Sequence, residues 1–253
     1  MTSTIENNFG AIILAAGRGK RMQAKSTNKV VLSLADKPLI LHSIHTLEAM
    51  HFKTIVVVVG FAKASVQNVL KDSRVLFAEQ KKRLGTAHAL KSALAVLPSE
   101  ITDVLVIQGD DSAFYKEDII MKLAEKHKAS DAALTMLTID VVNPHGLGRI
   151  VRDASGEVVS IIEEKDATSK ERALNEINPA CYLFQVDFLK KYLPTVKKSP
   201  ITGEYYLTSL IHIAMEHHEK LATVQAGAMP WRGVNTKEEL AEAERLHKIL
   251  VAQ

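Results

Sequence analysis

Apolar, β-branched runs alternate with helical patterns along the first 110 residues. Ala11 to Ala15, Thr54 to Val59, Val75 to Ala78 and Val104 to Ile107 read as strands. Between the first two, Ile40, Ile44, Leu47 and Met50 recur at helical spacing, and Ala87 to Leu97 is an Ala- and Leu-rich helix ahead of the fourth strand. Successive βα units predict a parallel sheet, with ligands beyond the carboxyl ends of its strands. The loop around Gly17 and the tripeptide Gly109, Asp110, Asp111 both fall there.

After a helix from Glu117 to Lys128 the pattern changes. Strands at Ala132 to Ile139, Arg149 to Arg152 and Val158 to Ile162 are joined by polar or Gly-containing turns, which predicts a second, β-rich lobe. The segment Asp153, Ala154, Ser155, Gly156 is a hairpin signal from its residue types. Ala180 to Val186 resumes the core pattern. The last helix is marked by a capping box, Thr236 with Glu239, ahead of a buried stripe of Leu240, Ala243, Leu246 and Leu250. No internal repeat or low-complexity segment interrupts the chain.

Composition narrows the class. The 253 residues are 47% hydrophobic and 24% charged, values of a soluble globular chain long enough for one large α/β domain. No apolar run approaches the ~20 residues that span a bilayer, and the polar N-terminus has no secretory signal pattern, so a cytoplasmic location is expected. One cysteine, Cys181, excludes an internal disulfide and reads as a small buried thiol. The net charge of +3 fits an anionic small substrate. The clusters Lys81, Lys82, Arg83 and Lys190, Lys191 are short, scattered and without an aromatic platform, so neither a nucleic-acid nor a membrane partner is expected.

Leu14 to Met22, LAAGRGKRM, places Gly17 and Gly19 among Arg18, Lys20 and Arg21 directly after the first strand. Glycines let backbone amides approach an anion, and the cations add charge-assisted hydrogen bonds. The loop is neither GxGxxG nor a P-loop, and an ordinary basic βα turn is the alternative. Lys29 follows the loop, and Asp110 ends a distant strand that converges on it, which together suggest a nucleotide and metal constellation. A carboxylate offers Mg²⁺ a hard oxygen; helix capping is the competing role for Asp110 and Asp111. His42 and His45 share a helical face but lack a third zinc ligand. Tyr205 and Tyr206 are expected to pack between lobes.

These segments, with AEQKKRLGTAHA from Ala78, GDD, GLGRIVRD from Gly146, IIEEKDAT from Ile161, EINPA from Glu176, GEYYLTSLI from Gly203 and GVNT from Gly233, occur in order over nearly the whole chain. Together they resemble the uridylyltransferase domain of the bifunctional N-acetylglucosamine-1-phosphate uridylyltransferase and glucosamine-1-phosphate acetyltransferase, of the sugar nucleotidyltransferase superfamily. The resemblance implies a Rossmann-like (GT-A-like) mixed, mainly parallel α/β sheet flanked by helices, with a small β-rich sugar-binding lobe. It divides one domain, 1–253, into a nucleotide-binding part of about 1–112 plus 227–253 and a sugar lobe of about 130–226. It implies transfer from UTP to a sugar 1-phosphate with Mg²⁺ as cofactor, in a monomer or small homo-oligomer.

By the same resemblance, Arg21 and Lys29 handle phosphate as catalytic cations, and Leu14, Ala15, Ala16, Gly17, Gly19 and Lys29 line the nucleotide site. Gln80 and Gly85 lie at the uracil with Thr86 flanking them in the nucleotide site, Gly148, Glu163 and Asn178 lie at the sugar, and Asp110 and Asn235 hold the metal. Plain helix capping is the alternative for Asn235, and an exposed strand position for Glu163.

Several positions depart from the family pattern. Lys20 replaces a Thr or Ser, Asn28 replaces a Pro, Gln108 replaces an aromatic, Asp111 to Ala113 replace a short apolar and Pro segment, and Pro179 with Ala180 stand where Thr and Gly are expected. No hexapeptide repeats follow the last helix, so acetyltransferase activity is expected to be missing. N-acetylglucosamine 1-phosphate is the favoured acceptor. A thymidylyl- or guanylyltransferase, a glycosyltransferase using the Asp110, Asp111 pair, and a non-catalytic nucleotide-sugar sensor are the rivals.

Overall fold

A computed structural model describes residues 5–19, 22, 26–162, 164 and 167–252. Its first strand, β1 (Phe9–Ala15), is buried at every position. Alternate residues serve opposite faces of the sheet: Ala11, Ile13 and Ala15 join one apolar core, and Ile12 and Leu14 the other. A short hairpin of β2 (Ser33–Leu34) and β3 (Lys37–Pro38) leads into α1 (Leu39–Ala49), whose Leu39, Ile40, Ile44 and Leu47 pack on the first face.

Next come β4 (Thr54–Val59), α2 (Lys63–Val69), β5 (Leu76–Glu79), α3 (Thr86–Leu94) and β6 (Asp103–Gln108). Strands β1, β4, β5 and β6 pair in parallel, in the order β5-β4-β1-β6. The chain runs outward from β1 to β5 and then returns to lay β6 on the other side of β1. That reversal opens a crevice beyond the carboxyl ends of β1 and β6. The expected strands and helices are all present, with ends that coincide or differ by up to three residues.

Helix α4 (Glu117–Ser130) packs on the first face. Its N-cap is Lys116, and a 3₁₀ turn at Ser112–Phe114 precedes it, so neither Asp110 nor Asp111 is the N-cap of this helix. Strand β7 (Leu134–Asp140) is followed by the hairpin β8 (Arg149–Arg152) and β9 (Val158–Ile162). Asp153 Oδ1 accepts from the backbone N–H of Ser155 and of Glu157 at 2.9 and 3.0 Å, the turn its sequence predicts. Then follow α5 (Ser169–Arg172), β10 (Glu176–Ile177), β11 (Tyr182–Gln185), α6 (Val186–Tyr192), α7 (Ser209–Glu216), β12 (Leu221–Ala228) and α8 (Lys237–Ala252).

All of these strands but β2 and β3 form one ten-stranded sheet among the described residues. Strand β12 runs parallel along β7 from Leu134 to Asp140, which leaves the other edge of β7 to two antiparallel partners. β11 takes Leu134 to Met136 and continues to β6, whereas β10 takes Ile139 and Asp140 and continues to β8 and β9. The predicted second lobe is thus a branch of the main sheet. Arg152 clamps it: the guanidinium donates to both carboxylate oxygens of Glu176 and to Thr138 Oγ1, joining β8, β10 and β7. This pairing holds Glu176 below the usual carboxylate range despite its burial.

Candidate active site

The crevice is a cavity of about 880 Å³. Leu14, Ala15, Ala16, Gly17, Gly19, Lys29, Gln80, Gly85, Thr86, Asp110, Asn178 and Asn235 all line it, so the structure brings together twelve positions drawn from the length of the chain. Gly148, directly before β8, is not among the lining residues. Arg21, Glu163 and Lys20 lie outside the described residues.

At the floor, the Lys29 ammonium donates to Asp110 Oδ2 and to Asn235 Oδ1, the latter at 2.8 Å. Lys29 and Asp110 side chains are only 12% and 14% exposed, so water screens the pair little. The backbones are pinned as well: Gly109 N–H donates to Leu14 O at 3.0 Å, and Val234 N–H to Asp110 O at 3.1 Å. Asn235 is held by the capping box of α8, where Glu239 Oε2 accepts from the backbone N–H of both Asn235 and Thr236 at 2.7 and 3.1 Å, while Glu239 N–H donates to Thr236 Oγ1. Arg232 pairs with Glu239 at 3.0 Å and steadies it. Thr236 therefore supplies the cap, and the Asn235 side chain is left to face Lys29.

Gly19 has a φ of +59°, a conformation available to glycine at little cost. The loop is secured from beneath by Asn28, which is fully buried. Its Nδ2 donates to the carbonyls of Ala15, Gly17 and Phe61 at 2.9, 3.2 and 2.9 Å, and its Oδ1 accepts from Val30 N–H at 3.2 Å. An asparagine here knits the loop to β1 and to the segment after β4.

The other wall is built around Gly85, the N-cap of α3, with a φ of +104°. A Cβ there would fall 2.3 Å from Tyr205 O, so only glycine fits. Thr86 Oγ1 accepts from Leu207 N–H at 2.8 Å, and Ala87 N–H donates to Tyr205 O at 3.0 Å. The two tyrosines are half-buried; Tyr205 packs against the second apolar core, and its backbone braces this wall.

Toward the branch, Asn178 Oδ1 accepts from Ala180 N–H at 2.9 Å and its Nδ2 donates to Tyr182 Oη at 2.7 Å. Ala180 has a φ of +59°, the left-handed conformation that glycine takes more readily. Tyr115 Oη donates to Pro179 O at 2.9 Å and accepts from Trp231 Nε1 at 3.2 Å. Asp111 also lines the cavity; its Oδ1 is buried without a hydrogen-bond partner, and burial, followed by Asp110, raises its pKa well above the carboxylate range. Burial likewise raises Cys181, the inert thiol its sequence surroundings suggest. Sequence reasoning did not place Trp231, Arg83 or Glu204 at the cavity, although Arg83 lies within AEQKKRLGTAHA, Glu204 within GEYYLTSLI, and Trp231, the single Trp, two residues before GVNT. Nor did it place Tyr115 behind the cavity wall.

The described residues contain no group of three or more His, Cys, Asp or Glu side chains placed to hold a metal ion, and no helix long and apolar enough to cross a membrane. The hard oxygens of Asp110 and Asn235 nevertheless converge within reach of one ammonium, a pair of ligands that suits Mg²⁺, which fills the rest of its shell with water and phosphate oxygens.

Several known proteins resemble the chain along most of its length. Bifunctional protein GlmU of Caldicellulosiruptor saccharolyticus is 41% identical over 243 residues, which are 95% of this chain and 52% of the relative. The protein of the same name from Psychrobacter sp. is 37% identical over 242 residues, 95% of this chain and 52% of its own. The chain thus spans about half the length of these relatives. A crystal structure from Bacillus anthracis, assigned as a glucose-1-phosphate thymidylyltransferase, shares the fold with a TM-score of 0.78 at 22% identity, covering 95% of each chain. Residues 10–248 match the nucleotidyl transferase family, and the chain belongs to that family.

Proposed function

We propose that this chain transfers a uridylyl group from UTP to a sugar 1-phosphate, N-acetylglucosamine 1-phosphate being the favoured acceptor, to give UDP-N-acetylglucosamine and pyrophosphate. The observation that carries the reading is the convergence of Lys29, Asp110 and Asn235 on the floor of the cavity that also holds the glycine loop and Gln80. In this reading residues 1–112 and 227–253 bind nucleotide, and 130–226 bind the sugar.

A sugar phosphate has a second pKa of about 6, so its attacking oxygen is ionised at neutral pH and no general base is required. The protein's work is positioning and charge neutralisation. Lys29 stabilises charge developing at the α-phosphate, Arg18 and Arg83 raise the positive potential along the cavity, and the glycine loop offers backbone amides to the phosphates. Asp110 and Asn235 would hold Mg²⁺, which would neutralise charge on the triphosphate and the leaving pyrophosphate. Gln80 and Gly85 face the base, and Asn178 the sugar.

The test is pyrophosphate release from each nucleoside triphosphate against a panel of sugar 1-phosphates, with and without Mg²⁺. UTP with N-acetylglucosamine 1-phosphate should turn over fastest, and chelation should abolish the reaction. No turnover anywhere on the panel, with nucleotide sugar still bound, would overturn the catalytic reading.

A further inference from the structure

The side chain of Gln80 reaches the cavity with its orientation already decided. Its Nε2 lies 2.9 Å from Gly85 O and 3.1 Å from His88 Nδ1. A carbonyl oxygen only accepts, so the nitrogen end of the amide must face Gly85; the reverse assignment sets two oxygens against each other. Both N–H groups of the amide are then engaged, and His88 must accept at Nδ1, which leaves its own proton on Nε2. Gln80 lines the cavity although only 4% exposed. No group among the described residues donates to its Oε1. The amide therefore shows the cavity an acceptor and withholds its donors.

The frame around this pair is stiff. Gln80 N–H donates to Val59 O at 2.8 Å, directly after β5, and Gly85 is fixed by its close approach to Tyr205. His88 sits in the first turn of α3 and does not line the cavity, so whatever it does for a ligand it does through Gln80. Burial, followed by the charge of Lys91, lowers the His88 pKa, which keeps the accepting, neutral ring at physiological pH.

We propose that His88 is a positioning residue for base selection: it locks Gln80 so that Oε1 accepts from a ring N–H, selecting a pyrimidine protonated at N3, as uracil is, over one with a lone pair there, as in cytosine. The inference rests on the uridylyl-transfer reading and names the atom that makes the base choice. Uracil presents N3–H between two carbonyl acceptors, which suits a lone acceptor flanked by backbone. Cytosine would set its N3 lone pair against Oε1.

The experiment measures dissociation constants of UTP and CTP at fixed Mg²⁺ by calorimetry for the wild type, His88→Phe and His88→Asn. Phe keeps a ring but no acceptor; Asn places Oδ1 near the position of Nδ1. The preference for UTP should fall about tenfold in His88→Phe, the order expected when one hydrogen bond that orients a group is lost, and should be largely kept in His88→Asn. Equal preferences in all three proteins, or equal loss in both variants, would overturn the proposal while leaving uridylyl transfer standing. A wild type with no preference for UTP would bring down both. Independently of any variant, ¹⁵N shifts of the wild-type His88 ring should show the Nε2–H tautomer, and the Nδ1–H form would refute the lock.

Discussion

The backbone N–H of Val234 donates to the carbonyl oxygen of Asp110 at 3.1 Å. This bond joins the loop after β6 to the segment before α8 and brings the side chains of Asp110 and Asn235 to the same ammonium. The charge of Lys29 therefore has a fixed address in the cavity, and in the proposed reaction that address is beside the α-phosphate. Lys29→Met should lower kcat about 100-fold or more, the size of effect that follows removal of one preorganised electrostatic group, with a much smaller change in KM for either substrate. Steady-state pyrophosphate release measures both; a kcat within twofold of wild type would remove Lys29 from the transition state.

Asn28 carries the glycine loop. Asn28→Ala leaves the carbonyls of Ala15, Gly17 and Phe61 without their shared donor, so stability should fall by about 1–3 kcal/mol, and KM for the nucleotide should rise as the loop loosens. Denaturant unfolding and nucleotide titration on the same preparations check the two effects.

Tyr115 ties Pro179 to Trp231. Tyr115→Phe removes the hydroxyl at both ends while retaining the buried ring. The expected result is a several-fold higher KM for the sugar 1-phosphate with KM for the nucleotide unchanged. A matching rise in both constants would mean that the hydroxyl supports the whole cavity and not its sugar side.

Ala180 occupies a left-handed conformation. Ala180→Gly should stabilise the protein by about 1 kcal/mol, the cost of a Cβ in that region less the added freedom of glycine in the unfolded chain. A thermal midpoint at or below that of wild type would show that the strain is relieved elsewhere.

His42 and His247 meet edge to face between α1 and α8, with ring centroids 4.8 Å apart. Burial is the main cause lowering both pKa values; further contributions come at His42 from His247 and at both from Lys37. Because the folded values lie below the unfolded one, the unfolded chain binds more protons between them. Their contribution is fully present above about pH 6.5 and is lost as the pH falls toward the folded values. His247→Phe should flatten this slope of the thermal midpoint; an unaltered slope would assign it to other groups.

The parallel half of the fold was legible because its strands are apolar runs and α1 and α3 each carry a buried stripe, signals that need no tertiary knowledge; α2, with Val66 alone buried, carried none. The branch was visible as a change of pattern, but its attachment was not. That Ile139 and Asp140 pair with β10 while Leu134 to Met136 pair with β11 depends on register, which alternation along one strand does not encode. Of the residues proposed for the site, Lys29 and Asp110 stood out by type and position, and Asn235 only through the family resemblance of GVNT. Tyr115 and Trp231 did not, because their part depends on hydroxyl and indole groups meeting across folded segments. Asn28 was noticed only as a departure, and its function became readable once three carbonyl oxygens were seen to surround it.

Among the described residues, the division of one edge of β7 between β11 and β10 leaves no loose connector along that route between the two sides of the cleft. Any opening along that route would twist β7 and the strands hydrogen-bonded to it. Any gape of the cleft would then follow the coiling of the sheet, as in a sprung jaw.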